Sequence, residues 1–235
     1  MKTPIILFPG LGADASLFCE QKETFGAQLI TPSWISPQKD ETLSGFCKRY
    51  SEHLLKSELS QFSEGFLGGF SFGGMVALEL CALFAQEGNF KVKGALLISS
   101  GRTDSILKES FKWKARLASK FPKRLLKWIL KNQMLLQFLR TESLSAEQSR
   151  HLREMIDSID MEFFQWSLLA CSQWNPRNRF TFPQAEFPIF EIQGEHDPII
   201  PLSKEAGVTT LSKAKHLIQY THSQEINQWI RKVIS

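Results

Sequence analysis

The residues around Ser71 constrain the fold more than any other part of the sequence. The apolar run GFLGGF (residues 65–70) leads into Ser71, and MVALELCALFAQ (residues 75–86) has the length and apolar content of a helix. Gly69 and Gly73 stand two residues either side of the serine, where a side chain would collide with a neighbouring strand or helix. This G-x-S-x-G pattern predicts a sharp strand-to-helix corner that exposes the serine hydroxyl. A glycine-serine loop without chemistry has the same pattern, so the rest of the chain decides between the two.

The rest of the chain alternates short apolar runs with longer amphipathic segments. The short runs predict strands at residues 5–8, 28–31, 65–70, 92–99, 188–194 and 207–212. The longer segments predict helices at residues 41–59, 75–86 and 223–234. This alternation is typical of an α/β fold with a mostly parallel sheet and helices on both faces. Residues 103–182 interrupt the alternation, because they look mainly helical.

The composition excludes several classes of protein. A chain of 235 residues, 43% of them hydrophobic, predicts one large core and one domain with an insertion. The formal net charge of +4 is too small to indicate nucleic-acid binding by itself. No apolar run approaches the roughly 18 residues of a membrane span, and the run at residues 5–8 is too short for a secretory signal. The four cysteines are scattered without metal-binding spacing, which predicts reduced thiols in a cytoplasmic protein.

A serine at such a corner becomes a nucleophile only with a base and a carboxylate. In the hydrolases that use this corner, the chain order is Ser, then Asp or Glu, then His. Asp197, in the segment GEHDPIIP (residues 194–201), follows a predicted strand and a turn glycine. We therefore expect its carboxylate to point across the sheet edge toward Ser71. The structural alternative is an Asx-Pro turn, a common use of aspartate before proline.

Two histidines near the end of the chain are candidates for the base. His216 follows the last predicted strand, at residues 207–212, and His222 stands directly before the final helix. If residues 216–221 formed the last strand instead, His222 would be the base. Two arguments favour His216: the strand at 207–212 already completes the sheet, and the positive potential of a helix N-terminus disfavours an imidazolium at His222.

A nucleophilic serine also needs two backbone N–H groups that stabilise the oxyanion. The first is predicted at Phe72, the residue after the nucleophile. The second is predicted at Leu11, because Gly10 and Gly12 permit a tight turn with exposed backbone after the first strand. A phosphate-binding glycine loop is a poor alternative, since the third glycine and the Gly-Lys of such loops are missing.

These segments together resemble the α/β-hydrolase superfamily, and within it the small bacterial esterase-like members. The resemblance rests on LFPGLGADASLF (residues 7–18), GGFSFGG (68–74), GEHDPIIP (194–201) and KHLIQYTHSQEINQWI (215–230). It implies the eight-stranded, mostly parallel family fold, here with about six strands and without the first two. It also implies a core at residues 1–102 and 183–235, with a helical cap at 103–182. Many members have His-Gly where this chain has Pro9-Gly10.

The resemblance implies a carboxylic ester hydrolase with a Ser71–His216–Asp197 triad, an acyl-enzyme, and neither metal nor organic cofactor. The apolar part of the cap suggests an acyl or aromatic substrate of small or medium size. The alternatives are a non-hydrolytic member, such as a lyase, and a binding protein with a vestigial triad, since a fold does not fix a function.

The first part of the predicted cap is strongly basic. Residues 105–140 hold ten Lys or Arg and one acid, Glu109. Pimeloyl methyl ester esterases within the superfamily bind acidic acyl-carrier proteins through basic cap residues, so the resemblance raises an acyl-carrier protein as a possible partner. A basic amphipathic helix is also typical of a membrane-surface element. The simpler interpretation is a lid whose lysines are merely solvated.

Overall fold

Six strands form one sheet in the computed structural model, which describes residues 2–135, 142, 144–177, 179–181 and 185–235. The strands are β1 (Ile5–Phe8), β2 (Leu29–Ile30), β3 (Glu64–Phe70), β4 (Lys91–Ile98), β5 (Ile189–Gly194) and β6 (Thr209–Leu211). Their order in the sheet is β2-β1-β3-β4-β5-β6, and every neighbouring pair is parallel. The predicted fold class and each predicted strand are therefore confirmed.

Helices cover both faces of this sheet. They are α1 (Cys19–Phe25), α2 (Leu43–Lys56), α3 (Phe72–Glu87), α4 (Glu109–Ala118), α5 (Lys123–Ile129), α6 (Ala146–Ser158), α7 (Met161–Gln173), α8 (Ile218–Thr221) and α9 (Ser223–Ile234). The three predicted helices are confirmed as α2, α3 and α9. Helix α3 begins three residues before its prediction, directly after Ser71, and ends where Gly88 takes a left-handed conformation with φ 66°.

The central strands are buried on both faces, which explains why their sequences are continuously apolar. In β1, Ile6 and Phe8 pack with α2 and α3 on one face, while Ile5 and Leu7 pack with α1 and α9 on the other. The start of α3 approaches the end of β1 so closely that a Cβ at Gly73 would lie 2.0 Å from the Phe8 carbonyl oxygen. Only glycine fits there, and the corner at Ser71 is thereby pressed against the first strand.

The chain between β4 and β5 is mainly helical where it is described, as predicted, and includes α4 to α7. Helix α7 anchors this segment to the rest of the fold. The Trp166 indole N–H donates to the Glu41 carbonyl oxygen at 2.7 Å, and that of Trp174 donates to a Glu79 carboxylate oxygen at 2.9 Å. The predicted division into core and cap includes residues 136–141, 143, 178 and 182–184, which lie outside the described residues. It stays a prediction.

The sequence predictions also concern membrane spans, metal clusters and cysteines. Within the described ranges, no helix is both long and apolar enough to cross a bilayer, and no cluster of metal-ligating side chains is found there. The four cysteines, Cys19, Cys47, Cys81 and Cys171, are free, and the last three are buried.

Candidate active site

Ser71 occupies the corner between β3 and α3 in a strained conformation. Its φ of 53° and ψ of −117° lie in a region that residues other than glycine rarely adopt. Its backbone is held on two sides, because its N–H donates to the Ile98 carbonyl oxygen at 2.9 Å and its carbonyl accepts from the Ser100 hydroxyl at 2.8 Å. A strained backbone that surrounding hydrogen bonds hold in place is typical of a nucleophile at a strand-to-helix corner.

The structure brings Asp197 and His216 together at the edge of the sheet. The His216 Nδ1 atom lies 2.7 Å from the Asp197 Oδ2 atom, and both side chains are almost fully buried. The other carboxylate oxygen, Oδ1, accepts from the N–H groups of Ile199 at 2.8 Å and Ile200 at 2.9 Å. Asp197 thus makes an Asx turn with one oxygen and binds the histidine with the other. Its catalytic role stays a prediction.

The end of β4 links the loop of His216 to the corner of Ser71. The Ser99 hydroxyl donates to the His216 carbonyl oxygen at 2.7 Å, while the adjacent Ser100 hydroxyl donates to that of Ser71. The imidazole lies with its centroid 4.8 Å from the ring of Phe70, the residue before the serine. Two consecutive serines therefore fix the histidine and the candidate nucleophile relative to one strand.

His222 lies away from this arrangement. Residues 218–221 form the short helix α8, so the alternative in which residues 216–221 make the last strand is wrong. His222 stands at the N-cap of α9, and its Nδ1 atom lies 2.9 Å from the Thr221 hydroxyl. Of the two histidines, it is His216 that contacts Asp197.

The two residues predicted to stabilise an oxyanion lie at places with available N–H groups. Phe72 is the first residue of α3, where amide groups have no partner within the helix. Leu11 lies in a turn closed by the bond from the Ala13 N–H to the Gly10 carbonyl at 3.1 Å, with Gly12 at φ 72°. That bond does not use the N–H of Leu11. The role of these groups stays a prediction.

A cavity of about 220 Å³ adjoins this region. It lies between the turn after β1, the loop after β2 and the junction of α6 with α7, and its apolar wall includes Trp34, Met155, Ile159, Phe163 and Phe164. The Trp34 ring stacks on that of Phe163 with centroids 5.0 Å apart and lies 6.2 Å from that of Phe72. The lining of the cavity thus includes Gly12, the residue after Leu11, and Trp34, whose ring neighbours that of Phe72.

Comparison with known proteins agrees with the topology of the sheet. A family model described as the alpha/beta hydrolase fold matches residues 3–229. The chain belongs to the alpha/beta hydrolase fold family. The resemblance stated from the sequence is thereby confirmed at the level of the family and its fold.

Three relatives of this alpha/beta hydrolase illustrate the range of similarity. A thioesterase of Fusarium pseudograminearum (strain CS3096) is 37% identical over 71 residues, which are 30% of this chain and 28% of that protein. The match therefore spans little more than a quarter of that relative. A thermophilic esterase from Thermogutta terrifontis has a TM-score of 0.77 at 18% identity, over 100% of this chain and 92% of that one. An esterase from Exiguobacterium antarcticum has a TM-score of 0.76 at 14% identity, with coverages of 99% and 91%. The identities of 18% and 14% to these two esterases relate the folds alone.

Glu142 is a residue of the site that the sequence did not reveal. It comes from the chain between α5 and α6, is buried, and its Oε1 atom accepts from the His216 backbone N–H at 3.1 Å. Burial raises the pKa of Glu142, although hydrogen bonds from the N–H groups of His216 and Leu217 oppose the shift. No motif or spacing marks this glutamate, because the contact joins residues 74 positions apart.

Replacing Glu142 should change stability in a pH-dependent way. Its folded-state pKa lies above the unfolded value of about 4.3, so the native state binds the proton more tightly and this contribution to stability falls as pH rises through the folded-state pKa. Glu142→Gln keeps an acceptor and does not titrate. As pH rises through this pKa, we expect the Glu142→Gln variant to become more stable relative to the native chain. Urea unfolding from acid to neutral pH measures the difference.

The alanine variant separates the hydrogen bond from the charge. Glu142→Ala leaves the buried His216 N–H without its acceptor, which should cost about 1–3 kcal/mol of unfolding free energy at every pH. If Glu142→Gln and the native chain showed parallel pH profiles, the raised pKa would be refuted. If Glu142→Ala were as stable as Glu142→Gln, the hydrogen bond would be unimportant.

Proposed function

We propose that this protein is a serine hydrolase that cleaves carboxylic esters of small or medium acyl groups. The observation that carries the proposal is the buried Asp197–His216 pair, with both carboxylate oxygens engaged, on the same sheet edge as the strained Ser71. A carboxylate fixed in this way holds the proton of His216 on Nδ1 and leaves Nε2 to act as a base.

The reaction proceeds in two steps through an acyl-enzyme. The Ser71 hydroxyl oxygen attacks the ester carbonyl carbon and its proton passes to His216 Nε2, while the carbonyl oxygen becomes an oxyanion. The N–H groups of Phe72 and Leu11 stabilise this charge. The intermediate then breaks the ester bond, and the leaving alcohol takes the proton from His216. A water molecule next attacks the acyl carbonyl with His216 again as the base, which releases the acid and restores Ser71.

The proposal assigns the acyl group of the substrate to the cavity beside the turn that carries Leu11. Its volume of about 220 Å³ is below the roughly 300 Å³ at the lower end of ligand pockets. Its apolar wall, contributed largely by α6 and α7, suits a short acyl or aromatic group. In this proposal the helical segment between β4 and β5 therefore serves as the cap that selects the acyl group.

The proposed mechanism is the same whether the leaving group is an alcohol or a thiol. The triad chemistry is shared by esters and thioesters, and one relative over 71 residues is a thioesterase. A thioester series belongs beside the oxygen esters in any assay, because the same acyl-enzyme would form from both.

A panel of p-nitrophenyl esters of graded chain length tests the proposal. We expect a burst of nitrophenol followed by steady turnover, with the highest kcat/KM for short or medium acyl chains. A fluorophosphonate probe should label the native chain and Ser60→Ala, an exposed serine on another surface, but not Ser71→Ala. Folding of each variant is checked by thermal unfolding.

Two outcomes would contradict the proposal. No hydrolysis at any chain length, together with no labelling at Ser71, would indicate a binding protein with a vestigial triad. Labelling at Ser71 without hydrolysis of oxygen esters or thioesters would indicate a non-hydrolytic enzyme, such as a lyase.

A further inference from the structure

Four large apolar side chains are exposed on the two helices that follow β4. On α4 the exposed fractions are 64% for Trp113 and 44% for Leu117, and on α5 they are 44% for Leu125 and 55% for Trp128. We call these four residues the outer patch. Tryptophan is a costly residue to leave in water, so two of them at more than half exposure indicate a surface that meets something else.

The outer patch points away from the body of the protein. Ala115 is the buried residue of α4, and Trp113 and Leu117 stand two residues before and after it. At about 100° per residue, both lie on the opposite side of the helix. Trp128 stands in the same relation to the buried Leu126 of α5, so each helix buries a small or aliphatic residue and presents a tryptophan outward.

Both helices are held on α7. The Arg116 guanidinium of α4 donates to the Ser172 carbonyl oxygen at 3.1 Å. In the turn between the helices, the Phe121 carbonyl accepts from the Gln165 amide at 2.6 Å. The Lys123 ammonium of α5 lies 3.3 Å from the Glu162 carboxylate.

Positive charge is concentrated in the segment that carries these two helices. Residues 105–135 hold nine of the 28 Lys and Arg residues and one of the 24 acids, which leaves 19 basic and 23 acidic residues elsewhere. Several of these cations pair locally, such as Lys112 with Glu109 and Lys131 with Asp157. In the described part of the chain, no ion pair engages Lys114, Lys120 or Arg124, and all three are exposed. They flank the outer patch with unneutralised charge.

We propose that the outer patch docks on the surface of an anionic lipid bilayer. Helices with Trp and Leu on one side and Lys and Arg around them lie in the bilayer interface, where indole rings enter the headgroup region and cations meet lipid phosphates. A second copy of this chain fits less well, because the exposed cations of the two copies would face and repel each other. This docking is independent of the proposed chemistry at Ser71.

Vesicle flotation tests the proposal with the full chain. We expect binding to vesicles of equal parts phosphatidylcholine and phosphatidylglycerol, weak binding to pure phosphatidylcholine, and release by salt. The triple variant Lys114→Gln, Lys120→Gln, Arg124→Gln should weaken binding about 100-fold, at about fivefold for each cation. Trp113→Ala with Trp128→Ala should weaken it about tenfold or more. The tryptophan emission of the native chain should shift to shorter wavelength on binding.

Matched controls lie on other surfaces. Lys48→Gln, Lys56→Gln, Lys232→Gln removes the same charge from α2 and α9, and Leu202→Ala removes another exposed apolar side chain. Both should bind vesicles like the native chain. The Ser71→Ala variant should also bind normally, which keeps this test separate from that of the hydrolase activity.

Three results would overturn the proposal. The first is absence of binding to anionic vesicles, and the second is equal loss of binding in the control triple variant. The third is self-association in sedimentation velocity that the tryptophan variant abolishes, which would make the patch an interface between copies. A salt-sensitive preference for an ester linked to an acyl-carrier protein, without vesicle binding, would assign the cations to an acidic protein instead.

Discussion

Changing His216 to alanine should lower kcat for ester hydrolysis by about 10³-fold or more, the scale on which removal of a triad member acts. The variant loses the imidazole that contacts Asp197, and with it the proposed base for Ser71. KM should change little, because the cavity wall is contributed by other residues. Steady-state kinetics with a p-nitrophenyl ester measures both parameters.

His222→Ala is the matched control. Its imidazole bonds to Thr221 at the start of α9, so kcat should stay within about threefold of the native value while stability falls slightly. A reversal, with His222→Ala inactive and His216→Ala active, would show that Asp197 and His216 form only a structural pair.

Changing Asp197 to asparagine should lower kcat by about 10⁴-fold while leaving the fold intact. The new amide keeps an acceptor for the N–H groups of Ile199 and Ile200, which hold the loop. Toward His216 Nδ1, however, it can present N–H groups in place of a carboxylate oxygen. The imidazole then carries its proton on Nε2 and cannot accept one from Ser71.

Glu195→Gln is the control for this substitution. Glu195 stands two residues earlier, but its carboxylate accepts from the Ser212 hydroxyl at 3.0 Å and the Lys213 N–H at 2.9 Å. Its kcat should remain near the native value. Equal kcat for Asp197→Asn and the native chain would remove the carboxylate from the mechanism and leave it as a turn residue.

The strands and principal helices could be predicted because their signals are local. The run from Ile5 to Phe8 is apolar without alternation since both faces of β1 are covered, and Gly88 marks the end of α3 by its left-handed φ. The corner at Ser71 could be predicted because close approach excludes side chains at Gly69 and Gly73. Each of these requirements acts on neighbouring residues and leaves a pattern in them.

The hydrogen bonds that hold the site together could not be predicted, because they join residues far apart in the sequence. Ser99 and Ser100 follow an apolar strand and look like ordinary loop residues. Yet the Ser99 hydroxyl donates to the His216 carbonyl, and that of Ser100 donates to the Ser71 carbonyl. The choice between His216 and His222 depended on whether residues 216–221 form a strand or a helix, and a period-2 pattern of apolar residues did not decide it. The catalytic roles themselves stay predictions.

The contact between Glu142 and His216 also bears on the exchange of helical segments between this chain and its relatives. An insertion is usually regarded as a module that alters the pocket and leaves the reacting groups untouched. Here the chain between β4 and β5 supplies the acceptor for the backbone of the loop that carries His216. A chimera with the helices of another relative would have different residues in place of α6 and α7. Unless a matching acceptor came with them, the loop of His216 would be held less firmly. Recombination of such segments would therefore succeed chiefly between parents that share this tie.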